Sequence, residues 1–541
     1  MNNDNNVNNH VNDMNRSSEE KDYRNYAEKL KLEYVDLRGY PISSDALRII
    51  AKEDAIKYGV ISYLRVGNKV KIATPDPESE KFKNFLESLR NITKYNFLIS
   101  ITSPSNIENT LDLYNLVKEE SEIKRTDTKI EITAEELERF NQSINSLRDL
   151  KEELEKVPTS FLLELIITGA LKTEASDIHI EAEETEAIVR YRIDGVLHPI
   201  ISLSPDALKA ITSRIKFLAK LKLDINKLPQ DGKFFVNSSG RRIDIRVSTL
   251  PEMFGESIVM RLLDKELGFV KLEELGLNQE QFNRIREAYQ KPHGLIFVTG
   301  PTGSGKTTTL YAVLEKLNKP GVKIITLEDP VEYTLPGVIQ SQVNAETNYT
   351  FSSGLRSILR QDPDILLVGE VRDLETAEMA IQASLTGHLV LTTLHTNDVS
   401  SSIHRLIDMG VRPFLVVDAI NLIMAQRLVR KICSKCREEY VPEKTVIDEI
   451  KKVIPRVKLG KFFRGKGCDF CHHTGFKGRI GIFEMLELDE EIKELTLRAA
   501  TLDEINKAAI KNGMITMEQD GLLKVLQGIT TPEEVWRVVK G

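Results

Sequence analysis

A glycine-rich segment constrains this chain more than any other feature. Residues 300–307 read GPTGSGKT and fit the pattern G-x-x-x-x-G-K-[ST] without a mismatch. The apolar run LIFVT precedes the segment, and helical spacing follows it, with apolar residues on one face at Leu310, Val313, Leu314 and Leu317. The sequence therefore predicts a strand, a glycine loop and a helix N-terminus in succession, which is the context that this pattern requires.

The residue types of this loop suit the phosphate groups of a nucleotide. Its glycines allow the backbone to turn with positive φ, so that loop N–H groups and the positive end of the following helix face phosphate oxygens. Lys306 is expected to reach the β- and γ-phosphates, and the Thr307 hydroxyl to ligate magnesium. The predicted nucleotide-binding residues are Gly300, Pro301, Thr302, Gly303, Ser304, Gly305, Lys306, Thr307 and Thr308.

Length, charge and hydropathy limit the class of protein. A chain of 541 residues is too long for one core, so about three or four domains are expected. A net charge of −7 gives no general attraction to nucleic acid. The most apolar run, residues 414–424, is interrupted by Asp418 and Asn421, and the asparagine-rich N-terminus lacks the features of a secretory signal. We expect a cytoplasmic protein without a membrane span of its own.

Changes of pattern divide the chain into segments. The second N-terminal segment begins with a helical pattern and continues with alternating ones, and its Asp194-Gly195 pair indicates a hairpin turn. The predicted segments are a disordered Asn-rich tail (1–22), a small α/β module for a partner or for regulation (23–116), a charged linker (117–157), an antiparallel sheet with helices (158–265), and a nucleotide domain (266–541) that includes a zinc subdomain (430–480) and C-terminal helices (487–541).

Strands alternate with helices in the nucleotide domain, which predicts a doubly wound parallel sheet. Three apolar runs end in polar residues, and these are Glu328, Glu370 and His395. Because ligands lie beyond the carboxyl ends of such strands, we expect these side chains to converge on the phosphate loop. Glu370 is predicted to activate the attacking water, Glu328 to act near magnesium or the γ-phosphate, and His395 to sense the γ-phosphate.

All four cysteines lie in two C-x-x-C pairs, Cys433/Cys436 and Cys468/Cys471. Two such pairs can supply the tetrahedral four-thiolate shell that suits Zn²⁺. Disulfides are the alternative, but they are disfavoured in the cytoplasm, and a redox role would need only one pair. The spacing therefore predicts a structural zinc site.

Four motifs occur in the order and at the spacing of a known superfamily. They are GLIFVTGPTGSGKTTTLYA (294–312), ITLEDPVEY (325–333), LRQDPDILLVGEVRD (359–373) and GHLVLTTLHTND (387–398). The chain resembles the secretion ATPases, and more narrowly their type IV pilus assembly and type II secretion members, the PilB and GspE families. The segments SDIHIE (176–181), YRIDGVL (191–197) and GCDFCHHTGFKGRIGIFEML (467–486) extend the resemblance over residues 161–541.

The resemblance implies an α/β multidomain protein: a RecA-like P-loop NTPase domain with a parallel sheet, an inserted zinc subdomain, and before it an α+β, PAS-like domain and the small α/β module. It also implies a ring hexamer with ATP bound between the PAS-like domain and the nucleotide domain. Glu370 matches the catalytic glutamate, Glu328 the acid of the aspartate box and His395 the histidine box. Arg246 and Arg261 match arginines that reach the nucleotide from the adjoining domain or subunit.

The expected function is that of a cytoplasmic ATPase recruited to the inner face of the cell membrane. Its expected partners are other copies of the chain, an inner-membrane platform protein and a cytoplasmic adaptor, and not nucleic acid. Its expected cofactors are ATP, Mg²⁺ and Zn²⁺. Pilus assembly is preferred, type II secretion is the alternative, and a non-hydrolysing scaffold is the less favoured reading. An Arg-Leu-Gly run that accompanies cyclic-dinucleotide binding in the family is absent after Arg16, so such control is not expected.

Overall fold

A computed structural model describes most of the chain and divides it into two compact units, Met1–Asp264 and Lys265–Gly541. The described residues are 19–38, 40, 42, 44–66, 68–93, 95–111, 114, 129–132, 150–151, 154, 159–238, 241–264, 270–344, 347–455 and 457–540. The predicted disordered tail lies outside these residues up to residue 18. Residues 19–22 belong instead to a helix that continues to residue 30 and buries Ala27, so the tail prediction was too long.

The first unit begins with a four-stranded sheet in the order β1-β4-β3-β2. Its strands are β1 (Glu33–Tyr34), β2 (Ile61–Val66), β3 (Lys69–Thr74) and β4 (Asn96–Ile101). Its helices are Ser44–Leu47, Lys52–Tyr58, Glu80–Ile92 and Pro104–Leu111. Tyr63 is fully buried, and its hydroxyl lies 2.7 Å from the Ser100 hydroxyl. This arrangement of helices and strands is the α/β module that the sequence predicted.

A seven-stranded sheet in the order β5-β9-β10-β11-β6-β7-β8 completes the first unit. Its strands are β5 (Lys129–Ile132), β6 (Asp177–Ala182), β7 (Ala187–Ile193), β8 (Val196–Leu203), β9 (Gln230–Ser238), β10 (Arg241–Glu252) and β11 (Gly255–Asp264). Its helices are Thr159–Lys172 and Pro205–Leu218. All neighbouring strands are antiparallel except β5 and β9. Asp194 and Gly195 both have positive φ, 48° and 86°, as the predicted hairpin turn requires.

The structure differs from the predicted charged linker at two places. β5 pairs with β9 and extends the second sheet, and Leu150 and Leu154 belong to the core of that sheet. Charge density dominates residues 117–157 as a whole and obscured these short apolar patterns. Leu150 and Leu154 are four residues apart, the spacing that brings two side chains to one face of a helix. The remainder of the linker lies outside the described residues.

The second unit is built on another seven-stranded sheet, in the order β14-β13-β15-β16-β12-β17-β20. Its strands are β12 (Gly294–Thr299), β13 (Ile324–Glu328), β14 (Ile339–Gln342), β15 (Ile365–Val368), β16 (Leu389–Leu394), β17 (Ile420–Ile432) and β20 (Phe476–Leu486). Neighbours are parallel except β17 and β20. Its helices up to β17 are Gln279–Gln290, Lys306–Leu317, Phe351–Ile358, Leu374–Leu385, Val399–Asp408 and Pro413–Ala419.

The two faces of β12 pack into different cores, which confirms the doubly wound fold. Leu295 and Phe297 lie in one core with residues of the helix Leu374–Leu385. Ile296 and Val298 lie in the other core with residues of the helix Lys306–Leu317. The predicted phosphate loop leaves this strand at its carboxyl end, with a core on each side to hold it in place.

The chain beyond β17 adds a small insert and a group of short helices. The insert holds β18 (Arg437–Tyr440), β19 (Phe462–Gly465) and the helix Lys444–Val453. The C-terminal helices are Glu490–Leu497, Leu502–Lys511, Met517–Leu526 and Pro532–Val539. Among the residues described, every helix falls short of the length and apolar character that a membrane span requires.

Candidate nucleotide site and metal centre

The phosphate loop has the backbone conformation that its sequence predicts. Gly300, Gly303 and Gly305 have φ values of 147°, 80° and 88°, and Gly305 is the N-cap of the helix Lys306–Leu317. A side chain at Gly300 would have its Cβ only 2.5 Å from the Gln426 carbonyl oxygen. Glycine at 300 is therefore required both by its conformation and by the close approach of β17.

Lys306 bends back over the loop. Its Nζ donates hydrogen bonds to the carbonyl oxygens of Gly300 and Pro301, at 2.8 and 3.2 Å. Burial lowers the pKa of Lys306, the nearby Glu370 carboxylate opposes that shift, and the nearby Arg427 guanidinium adds to it. These effects place Glu370 and Arg427 within electrostatic reach of the lysine at the end of the loop.

Glu370 and His395 lie together at the carboxyl ends of β15 and β16. His395 Nε2 is 3.0 Å from Glu370 Oε2, and the other carboxylate oxygen is paired with Arg372. The Glu370 side chain is 13% exposed, so water can still reach it. The Thr393 hydroxyl donates to the Gly369 carbonyl oxygen at 2.7 Å and fixes the backbone just before the glutamate. The predicted convergence of Glu370, His395 and Lys306 is thus present in the fold.

Glu328 is more deeply buried than Glu370, and protein donors occupy both of its oxygens. Tyr311 donates to Oε2, and Thr326 and Gln340 donate to Oε1 at 2.5 and 3.3 Å. Glu328 is 3% exposed. Burial, with the carboxylate as hydrogen-bond partner, raises the pKa of Tyr311, so the phenol remains a donor. Sequence placed an acid at the end of β13 but gave no sign of this enclosure.

Arg246 and Arg261 lie in the first unit, directly opposite each other on β10 and β11. The row continues to Lys233 on β9 and to Asp177 on β6. Arg261 Nε donates to Asp177 Oδ1 at 2.9 Å, and half of the Arg261 side chain is exposed. The sheet thus places three cationic residues, Lys233, Arg246 and Arg261, side by side on neighbouring strands.

Sequence reasoning missed Gln426, a residue of β17 that contacts the phosphate loop. The Gln426 side chain accepts a hydrogen bond from the Thr309 hydroxyl at 2.7 Å and lies 2.8 Å from an ideal Cβ on Gly305. Arg427 follows it. A signal was available, because the polar residues Gln426 and Arg427 interrupt an otherwise apolar run.

The four cysteines form a cluster with the dimensions of a zinc site. Their Sγ atoms all lie within 4.8 Å of one another, and three pairs, Cys433–Cys468, Cys436–Cys471 and Cys468–Cys471, are 3.8 Å apart. A tetrahedron with zinc–sulfur bonds of about 2.3 Å has edges of about 3.8 Å, whereas a disulfide bond is about 2.05 Å long. The amides of Gly467 and Cys468 donate to two of the sulfurs, as thiolate ligands require. The residues therefore fit zinc and not a disulfide.

Comparison with known proteins identifies the family. The model of the family described as "Type II/IV secretion system protein" matches residues 152–537. This chain belongs to that family. The secretion-ATPase resemblance predicted from the motifs is confirmed.

Individual relatives agree with the family assignment. The type IV pilus assembly ATPase PilB of Myxococcus xanthus is 39% identical over 509 residues, which is 93% of this chain and 88% of the relative. The type II secretion system ATPase E of Vibrio cholerae is 40% identical over 458 residues, 84% of this chain and 90% of the relative. The chain is an ATPase of this family.

Solved structures agree on the fold. The X-ray structure of the ATPase DotB of Legionella pneumophila covers 70% of this chain and 95% of its own, with a TM-score of 0.51 and 24% identity. At that identity the likeness concerns architecture alone. It agrees with the predicted α/β multidomain class.

Proposed function

We propose that this ATPase powers assembly of a type IV pilus by acting on an inner-membrane platform protein. The supporting observation is how much of the chain the pilus relatives match. PilB of M. xanthus and PilB of Thermus thermophilus align with 93% and 94% of this chain, and the V. cholerae secretion ATPase with 84%. Type II secretion is the second candidate, because the type II secretion system protein HxcR of Pseudomonas aeruginosa is 45% identical over 75% of the chain.

Glu370 is the proposed catalytic base. Its carboxylate stands near the end of the loop, where the γ-phosphate of a nucleotide on Lys306 would lie, and Arg372 and His395 hold it there. A carboxylate so fixed can orient a water molecule in line with the phosphorus and accept its proton. His395, half exposed beside Glu370, is the proposed sensor of the γ-phosphate.

Lys306 and Thr307 are the proposed partners of the nucleotide phosphates. Lys306 would exchange the carbonyl oxygens it now contacts for phosphate oxygens. Thr307 lies in the first turn of the helix Lys306–Leu317, and its hydroxyl is the proposed magnesium ligand. Magnesium neutralises negative charge between the β- and γ-phosphates when bound. Glu328 is proposed to support the site by ordering the end of β13, since its oxygens are already engaged.

Arg246 and Arg261 are the proposed arginines that stabilise the transferring phosphoryl group. The two lie directly opposite each other on neighbouring strands, and half of the Arg261 side chain is exposed beside its contact with Asp177, so a phosphoryl group could approach it. We propose that they act on a nucleotide held by a neighbouring subunit in a homo-hexamer. The arginines would close onto bound ATP and separate from the site after hydrolysis. This cycle of closure and opening would supply the motion that drives pilus assembly.

The remaining parts of the proposal concern metal and location. Cys433, Cys436, Cys468 and Cys471 would hold one structural zinc ion, which contributes folding energy to the insert. The ATPase would work in the cytoplasm at the inner face of the membrane, recruited by the platform protein and a cytoplasmic adaptor.

A deletion of the gene in its host, complemented with wild-type or Glu370→Gln protein, tests the cellular function. If the ATPase assembles pili, electron microscopy will find bare cells in the deletion and the Glu370→Gln strains and piliated cells with wild-type protein, while secreted proteins stay normal. Normal pili with missing secreted proteins would establish the type II alternative instead. Normal pili and normal secretion in the deletion strain would contradict both.

A further inference from the structure

Arg427 occupies a place beside the phosphate loop that the family motifs do not explain. β12 and β17 run parallel, with Thr299 opposite Ala425, so the chain leaves β12 for the loop at the level where β17 continues to Gln426 and Arg427. The Gln426 backbone touches the loop at Gly300. Arg427 therefore lies two residues past the level at which β12 ends. This is the edge of the sheet at which ligands of parallel sheets bind.

The Arg427 guanidinium is half-buried, and the described part of the chain places no carboxylate against it. Its Nη2 donates to Asn397 Oδ1 at 3.1 Å, and its Nη1 makes a long contact of 3.4 Å with the Gln426 carbonyl oxygen. Within residues 270–540, as far as they are described, no carboxylate lies within 4.0 Å of it. Burial lowers the pKa of Arg427, and Glu484 and Asp398 oppose the shift from a distance. A guanidinium desolvated in this way, with donors to spare, is ready to receive an anion.

Its surroundings are rigid. Asn397 lies in the turn after His395, and the next residue, Asp398, caps the helix Val399–Asp408 by accepting from the Ser401 amide at 2.7 Å. Glu484, itself buried, accepts from the Val399 amide at 3.0 Å and fixes the same turn from β20. The hydrogen bond to Asn397 thus holds Arg427 against the turn that follows His395 before any ligand binds. This lowers the entropic cost of binding.

We propose that Arg427 binds the terminal phosphate of ATP from within the same subunit, together with Lys306, and so distinguishes ATP from ADP. The inference rests on the proposed nucleotide site. An anion is the missing partner for two cations, Lys306 and Arg427, that lie within electrostatic reach of each other. The γ-phosphate fits because Glu370 and His395 lie at the carboxyl ends of β15 and β16, at the same edge of the sheet.

The test compares binding of magnesium-bound AMP-PNP, a non-hydrolysable ATP analogue, and of ADP by the zinc-loaded full-length protein. For Arg427→Gln we expect the Kd for AMP-PNP to rise at least about tenfold, as for loss of one partner of a buried charged hydrogen bond, and the Kd for ADP to change less than about twofold. Arg427→Lys keeps the charge without the planar fork, so its loss should be intermediate. Arg412→Gln, at an exposed arginine that stacks on Phe414, is the matched control and should bind both like wild type.

Equal weakening of AMP-PNP and ADP, or none, would overturn the inference. A merely structural role would lower the unfolding temperature of the ligand-free protein without changing the ratio of the two Kd values. If Arg427→Gln does not fold, the same ratio measured in Arg427→Lys decides. Lys306→Ala separates the two levels of proposal. If Lys306→Ala binds both nucleotides like wild type, the phosphate-loop assignment fails. If Lys306→Ala loses affinity for both nucleotides while Arg427→Gln binds them like wild type, only the inference about Arg427 fails.

Discussion

At the scale of single residues, the two acids predicted for the active site divide into different environments. Glu370 keeps access to solvent and is held by one arginine and one histidine, while Glu328 is enclosed by Tyr311, Thr326 and Gln340. Only Glu370 has an oxygen that water can approach. We therefore propose Glu370 as the residue that activates water, and Glu328 as a residue that orders the end of β13.

Replacement of Glu370 tests this division. We expect Glu370→Gln to lower kcat by about 100-fold or more, because a general base is lost, while the affinity for ATP stays near that of wild type. Phosphate release and nucleotide binding by the purified protein measure the two effects. Glu490→Gln, at an 89% exposed side chain of the same unit, is the control. Equal turnover by Glu370→Gln and wild type would remove the role assigned to Glu370.

The zinc site gives a second prediction at this scale. Cys468→Ser removes one thiolate of the cluster, and we expect bound zinc to fall from one ion per chain to much less. Elemental analysis of gently purified protein measures the metal, and a thermal unfolding curve measures the accompanying loss of stability. Ser401→Ala, which leaves the cysteines untouched, controls for a general effect of substitution. Wild-type protein without zinc would contradict the assignment.

At the scale of elements, the last helix is tied to β17 by a buried carboxylate. Glu534 is 2% exposed and receives hydrogen bonds from Arg430 and Arg537, at 2.8 and 2.5 Å for the shortest of each. Burial alone would raise the pKa of Glu534, but the two guanidinium groups hold it at about 2. The ion pair therefore stabilises the fold fully above the pKa of an unfolded glutamate, about 4.3, and the contribution disappears as the pH falls towards about 2.

Glu534→Gln should expose this contribution. We expect the free energy of unfolding at pH 7 to fall by about 3 kcal/mol, because two guanidinium groups lose their buried partner. The difference in the free energy of unfolding between Glu534→Gln and wild type should narrow as the pH falls from about 4.3 towards 2, because Glu534 of the wild type becomes protonated and neutral in that range. Urea unfolding at pH 7 and at pH 3 measures both effects. Glu533→Gln, at the exposed neighbouring position, should match wild type at both pH values.

The sequence was most informative where a pattern is local. The phosphate loop, the turn at Asp194 and the helical pattern that opens the segment 158–265 depend on neighbours in the chain, and the structure has a helix or turn at each of these places. The enclosure of Glu328 and the position of Arg427 depend on contacts between elements far apart in sequence. The strand Lys129–Ile132 was missed for a different reason, because it is short and lies in a charged segment.

At the scale of the whole molecule, the residues proposed to act on ATP are distributed over the two units of the chain. Lys306 and Glu370 lie in the second unit, and Arg246 and Arg261 in the first. In a head-to-tail ring each nucleotide can take its lysine from one subunit and its arginines from the next. Defects in two different chains should then complement each other in a mixed ring.

Coexpression of Glu370→Gln chains with Arg261→Ala chains under different tags tests this arrangement. If the arginines act between subunits, about one quarter of the sites in an equal mixture combine an intact glutamate with an intact arginine, and ATPase activity should recover towards that level. If the arginines act within their own subunit, every site keeps a defect and activity stays at the level of the separate variants. A mixture of Glu370→Gln with Lys306→Ala, two defects on the same side of the site, should not recover in either case.

The long strand β17 has a mechanical consequence. It lines the phosphate loop at Gln426 and runs on to Ile432, one residue before the first cysteine of the cluster, in antiparallel contact with β20 for most of its length. Paired strands of this kind are stiff along their axis, and no glycine or proline interrupts β17 between the two points. Its pairing with β20 shifts register between Arg430 and Ile432, shortly before the first cysteine. The insert is therefore connected to the phosphate loop by the backbone of one continuous strand.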